Sequence, residues 1–76
     1  MDIQLAKTFL EIMSAGTFIE ASERLHVTQT TITARINKLE DKLGCQLFVR
    51  NRAGAKLTSQ GERFVEIIKL QQQVTL

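Results

Sequence analysis

Four threonines and a glutamine crowd the start of one amphipathic segment, LHVTQTTITARINKLEDKLG (residues 25–44): Thr28, Gln29, Thr30, Thr31 and Thr33. These are weak helix formers where alanine, leucine or glutamate would serve better. Their chemistry suits recognition instead. Hydroxyls and an amide can approach base edges, glutamine pairing with adenine and threonine methyls touching a thymine methyl. The same end carries no acid, which leaves its free N–H groups and dipole open to an anion such as phosphate. A solvated helix start is the plain alternative for these residues.

Other chemistries find less support. His26 is the single histidine and has no Cys/His partner at ligand spacing, so it reads as a packed or solvated turn residue. Cys45 follows a glycine at a helix exit and reads as a small packing residue. Being alone, it forms no internal disulfide, which points to a reducing cytoplasm. There is no nucleophile–base pair, metal cluster or glycine-rich phosphate loop, so no enzyme and no cofactor are expected. No apolar run approaches a membrane span, and no signal peptide is visible.

The net charge of +2 hides an uneven distribution. Residues 1–23 set Lys7 against Asp2, Glu11, Glu20 and Glu23. Residues 24–56 hold seven basic side chains against Glu40 and Asp41, and the last twenty residues balance. A basic middle suits a polyanion, with a solvated basic face as the alternative.

Four helices must position these groups. Asp2 can cap the first, with Leu5, Phe9, Ile12 and Met13 on its inner face and Gly16 at its end. Thr17-Phe18-Ile19-Glu20 has the form of a capping box opening a short second helix, which a tight turn at His26 and Val27 closes. Thr28 caps the third, whose core stripe is Ile32, Ile36, Leu39 and Leu43, and Gly44 stops it. That stripe turns Thr30, Ala34, Asn37 and Lys38 outward, with Gln29 and Thr33 beside them near the tip. Residues 46–50 and 55–58 then read as two short strands around the turn at Asn51-Arg52-Ala53-Gly54. The last helix begins at Ser59, with Glu62 completing a second capping box. Its Phe64, Ile67, Ile68 and Gln71 share a face, while Val65, Leu70, Val74 and Leu76 leave it apolar on further sides. A small core cannot cover all of that surface, so a partner helix is expected there, with the Phe64, Ile67 and Ile68 stripe belonging to the core as the alternative.

Two helices joined by a tight turn, the second with polar residues at its start, outline a helix-turn-helix, whose second helix enters the major groove tip first. The ordered set Ala21, Glu23-Arg24-Leu25, Gln29, Ile36, Leu39-Glu40, Leu43-Gly44, Leu47-Phe48, Arg50, Leu57-Thr58 and Gly61, within TFIEASERLHVTQTTITARINKLEDKLGCQLFVRNRAGAKLTSQG, resembles the N-terminal DNA-binding domain of LysR-type transcriptional regulators. The resemblance runs without a gap from residue 2 to about residue 64, and the tail fits that family's linker helix.

The resemblance implies a mainly α chain: a winged helix-turn-helix of three helices and a two-stranded wing (residues 1–58), then a long linker and dimerisation helix (residues 59–76). It implies a homodimer, paired through the linker helix, on an interrupted inverted repeat in double-stranded DNA. By position, Gln29 and Thr33 resemble base readers, Thr28 and Thr30 phosphate or base-edge contacts, and Arg50 and Arg52 wing contacts to backbone and minor groove. Arg35 and Lys38 are further candidates for DNA, with pairing to Asp41 as the alternative. The chain departs from the family pattern at Thr30, where proline is frequent, at Ser22, where a second alanine is frequent, and at Ala34, where arginine is common and here stands next door at Arg35. The family's C-terminal effector-binding domain is absent, so an excised DNA-binding domain is expected, with a small-molecule inducer only in a full-length protein. A winged-helix module that binds protein is the competing expectation, which acid at the helix tip or wing would have favoured.

Overall fold

Leu5, Phe9 and Ile12 recur at helical spacing and form the buried face of α1 (Ile3–Ala15) in the computed structural model, which describes residues 3–51 and 54–74, with side chains to Leu70. Thr8 joins that face and Met13 is half-buried. The cap expected at Asp2 lies outside the described residues.

The turn into α2 (Phe18–Leu25) is set by Thr17, whose hydroxyl accepts from the Glu20 N–H at 3.1 Å. Only that half of the expected capping box is formed, because the Glu20 carboxylate lies 3.6 Å from Arg24 one turn along. His26 closes α2 in the left-handed region at φ 57°. Its N–H bonds to the Glu23 carbonyl, and that of Val27 to Ser22, which satisfies the last carbonyls in the manner of a Schellman turn. Thr28 then caps α3 (Gln29–Leu43), accepting from the Thr31 N–H at 3.1 Å, and Gly44 ends it. Ile32, Ile36 and Leu39 are buried as the spacing requires. Leu43 departs from the expected stripe at 42% exposure, because nothing in the single chain covers the helix's last turn completely.

The wing is an antiparallel pair, β1 (Phe48–Asn51) and β2 (Gly54–Leu57), in the register Phe48 with Leu57 and Asn51 with Gly54. It starts two residues later than expected, because the Leu47 and Phe48 N–H groups turn to the Glu40 carboxylate at 2.8 and 3.4 Å. Two strands alone are marginal. The wing is held by the helices, with the Ala55 N–H donating to the Gly16 carbonyl at 3.1 Å. Gly54, at φ 128°, permits this approach, since a Cβ there would sit 2.6 Å from the same carbonyl.

The last helix, α4 (Ser59–Val74), is capped by Thr58 and not from Ser59. The Thr58 hydroxyl accepts from the Gly61 N–H at 3.0 Å while donating to the Gln46 carbonyl, so Glu62 falls one residue past the capping-box position. Gly61 is buried where a Cβ would collide with the Leu47 carbonyl. This contact seats α4 against the strand entrance.

One core joins all these elements. Phe9, Ile12, Ile32, Leu39 and Leu47 are its innermost large side chains. The four phenylalanines form a chain through it: Phe64 edge-on to Phe9 at 5.0 Å, Phe9 to Phe48 at 5.1 Å, and Phe48 edge-on to Phe18 at 5.8 Å. Phe64, Val65 and Ile68 are therefore buried within the single chain, which corrects the expectation that Phe64 and Ile68 form an outward apolar stripe. Among the described side chains, the exposed large apolar residues of α4 are Ile67 and Leu70, and the side chain of Gln71 lies outside them. The architecture is a winged helix-turn-helix followed by a long helix whose first half completes the same core.

Candidate nucleic-acid interface

The outward face of α3 carries Gln29, Thr30, Ala34, Asn37 and Lys38, all exposed, with Thr28 exposed at the cap and Thr33 half-buried at the margin. Burial of Ile32, Ile36 and Leu39 forces this arrangement, because residues three and four apart share a helix face. Thr28 serves the helix first: its hydroxyl holds the Thr31 N–H and shares a 2.9 Å bond with the Thr31 hydroxyl. The first turn contains no acid, and both positions after the cap are polar and solvent-facing. An anion can therefore approach the positive end of the helix without repulsion from its own side chains.

The basic side chains divide into two sets. Arg24 lies 3.4 Å from Glu11 and 3.6 Å from Glu20 and donates to the Ser14 hydroxyl, so it braces α1 against α2 away from the α3 face. Arg35 is half-buried and turned back to α1, where it donates to the Thr8 hydroxyl at 3.4 Å. It does not stand on the outward face, in contrast to Lys38. Lys42, Arg50 and Lys56 are also exposed, and Arg52 lies outside the described residues.

Arg50 takes a position that the sequence did not foretell. Its guanidinium carbon lies 4.1 Å from the centroid of the Phe18 ring, and its Nη1 donates to the Thr33 hydroxyl at 3.3 Å. The residue expected to contact DNA from the wing joins the wing to the outward face of α3. Between them runs an open cleft of about 350 Å³, with Thr33, Asn37, Gln46, Val49 and Arg50 among its lining. Gln29, Thr30, Thr33, Ala34, Asn37 and Arg50 line a shallower depression beside it, so the two base-reader candidates lie on one surface with Arg50.

Glu40 was also missed as a functional support. Its carboxylate holds the start of β1 and so fixes the wing to α3. The signal for it was a carboxylate one turn before the helix stop, followed at once by a strand. Among the described residues, no group of three or more His, Cys, Asp or Glu side chains is placed to hold a metal.

Comparison with known proteins gives a consistent picture. The family described as bacterial regulatory helix-turn-helix protein, lysR family, matches residues 3–62. The HTH-type transcriptional regulator HdfR of Yersinia pestis (strain Pestoides F) is 46% identical over 65 residues, covering 86% of this chain and 22% of the relative. HdfR of Yersinia pseudotuberculosis serotype O:1b (strain IP 31758) matches equally well. The chain thus spans about a fifth of the length of the curated relatives it matches. Among solved structures, a CbnR DBD–DNA complex superposes with a TM-score of 0.89 at 33% identity, covering 99% of this chain and 86% of the other. A BenM DBD complex with benA site 1 DNA does so at 0.85 and 29%, covering 99% and 88%.

Proposed function

The chain belongs to the LysR family of bacterial helix-turn-helix regulatory proteins, and from that premise we propose that it binds double-stranded DNA sequence-specifically as the DNA-binding part of a transcriptional regulator. The observation that carries this reading is the acid-free, polar outward face of α3, which presents Gln29, Thr30, Thr33 and Asn37 together above a rigid core. Small polar side chains on an exposed helix match the donor and acceptor pattern of the major groove. The helix start and the exposed lysines supply attraction to phosphate that is independent of sequence. The DNA complexes of the CbnR and BenM domains support the same docking.

The binding unit is a homodimer on an interrupted inverted repeat. Exposed Ile67 and Leu70 of α4, with Leu43 beside an apolar groove lined by Cys45, Leu47 and Phe64, support pairing through the last helix. Of the four residues first expected to pair, Ile67 is the one exposed among the described side chains. The protein acts in the cytoplasm, where its DNA is, and works by binding, not catalysis, as the relatives' description as regulators supports.

Selection from a random duplex library, with the recovered pool titrated across salt concentrations, tests the reading. An enriched inverted repeat with affinity falling steeply in salt is the expected result. Absence of binding at low salt would reject it in favour of protein interaction.

A further inference from the structure

Resting on the reading of α3 as the groove helix, we infer that Arg50 is a positioning residue that orients Thr33 as a hydrogen-bond donor and thereby sets which base edges Thr33 donates to. A guanidinium has only donors, so in the 3.3 Å contact the Thr33 oxygen must accept. The cation, although exposed, has a second contact. It stacks on Phe18, which is 4% exposed and packs edge-on against the buried Phe48. Phe48 and Arg50 are two residues apart on β1, so both point to the face of the wing that meets α3.

Thr8 provides the contrast within the same molecule. It too accepts from an arginine, Arg35, but it sends its own proton to the Gln4 carbonyl at 2.9 Å. Among the described residues the Thr33 hydroxyl proton has no such acceptor, and its open side faces the depression shared with Gln29, Thr30, Ala34 and Asn37. A hydroxyl that accepts from a cation is polarised into a better donor and a poorer acceptor. In the major groove, guanine, adenine and thymine each present an acceptor, whereas cytosine presents only its N4 donor. Thr33 oriented in this way favours guanine, adenine or thymine over cytosine at the facing position. Arg50 achieves this through the Thr33 hydroxyl.

The test compares the wild-type chain with Thr33→Val, Arg50→Ala, Arg50→Lys and the double variant Thr33→Val/Arg50→Ala. Each is titrated on the selected duplex, on the four base-pair versions of each position, and on random duplex over a salt series. Thr33→Val is expected to remove roughly three- to tenfold discrimination against cytosine at one position per half-site. Arg50→Ala is expected to flatten that same position, to add nothing there in the Thr33→Val background, and to leave the salt slope unchanged. Arg50→Lys keeps the charge without the planar stacked fork, so it should retain affinity for random duplex but not the discrimination. A uniform loss for Arg50→Ala on all duplexes, with the salt slope reduced by about one and the base preference intact, would make Arg50 a phosphate contact and overturn the inference. Cytosine preferred opposite Thr33 would overturn it as well. Failure of the wild-type chain to bind any duplex rejects the DNA reading itself, a result distinct from both.

Discussion

Gln29 stands exposed at the first position of α3, and its amide offers a donor and an acceptor together on one plane. Replacing it with alanine should cost about 1–3 kcal/mol on a selected site and little on random duplex, measured by titration at fixed salt. Equal loss on both would remove it from base reading. Thr28 separates two roles that a single substitution to alanine would confound. Thr28→Asp keeps a side-chain acceptor for the Thr31 N–H, so thermal stability should hold. It also places a carboxylate at the helix tip, so affinity for duplex should fall and salt sensitivity should change. Unaltered binding by Thr28→Asp would mean that no phosphate approaches this end of the helix.

Elements are joined at two points where magnitudes decide the outcome. Alanine is a better helix former than glycine by about 1 kcal/mol, so Gly61→Ala would stabilise an open helix. Here the added Cβ meets the Leu47 carbonyl, part of the backbone leading into β1, and also sits 2.9 Å from a methyl of Leu57. Overpacking of this kind costs about 1–3 kcal/mol, and the backbone partner cannot swing aside as a side-chain end can. The net sign should be destabilising by up to about 2 kcal/mol, with Tm lowered by roughly 4–8 °C for each kcal/mol lost in a domain of this size. A raised Tm would show that α4 can slide along the strand entrance at little cost. The second joint is Glu40. Truncation to alanine removes the acceptor for two N–H groups at the start of the wing and should cost about 1–3 kcal/mol by denaturant unfolding.

Across the whole molecule, the division of charge and apolar surface matters more than its total. Arg24 and Arg35 are turned toward α1, so the net charge of +2 does not describe what a polyanion would meet. Binding strength should come from the exposed lysines and the helix tip. The apolar excess is likewise smaller than the sequence suggests, because Phe64, Val65 and Ile68 are buried in the single chain. On the described part of α4 the exposed large apolar side chains are Ile67 at 50% and Leu70 at 61%, with Leu43 of α3 also exposed. Ile67→Glu should impair self-association in sedimentation equilibrium while leaving the unfolding midpoint close to wild type. Ile68→Glu should unfold the chain instead. If Ile67→Glu and wild type sediment alike, α4 pairs through another face or not at all.

The local features of this fold were legible in the sequence because they depend on neighbours along the chain. Thr17 and Thr28 cap the following helices, Gly44 stops α3, and the Ile32–Ile36–Leu39 spacing turns the polar residues outward. Each rests on contacts within about one helical turn or on helical periodicity. Several departures lie where distant segments compete for the same group. Thr58 caps α4 ahead of Ser59 because its hydroxyl also bonds to Gln46, twelve residues away. Phe64 and Ile68 are core because Phe9 and the wing need a floor that α1 to α3 do not supply. Arg50 lies on Phe18 and Thr33, 32 and 17 residues distant, and only packing of the wing against α2 and α3 creates that seat. Which face of α3 turns outward follows from helical periodicity and was readable from the residues alone. The tertiary structure decided which groups hold that face in place, because such contacts follow from the meeting of surfaces and not from spacing along one chain.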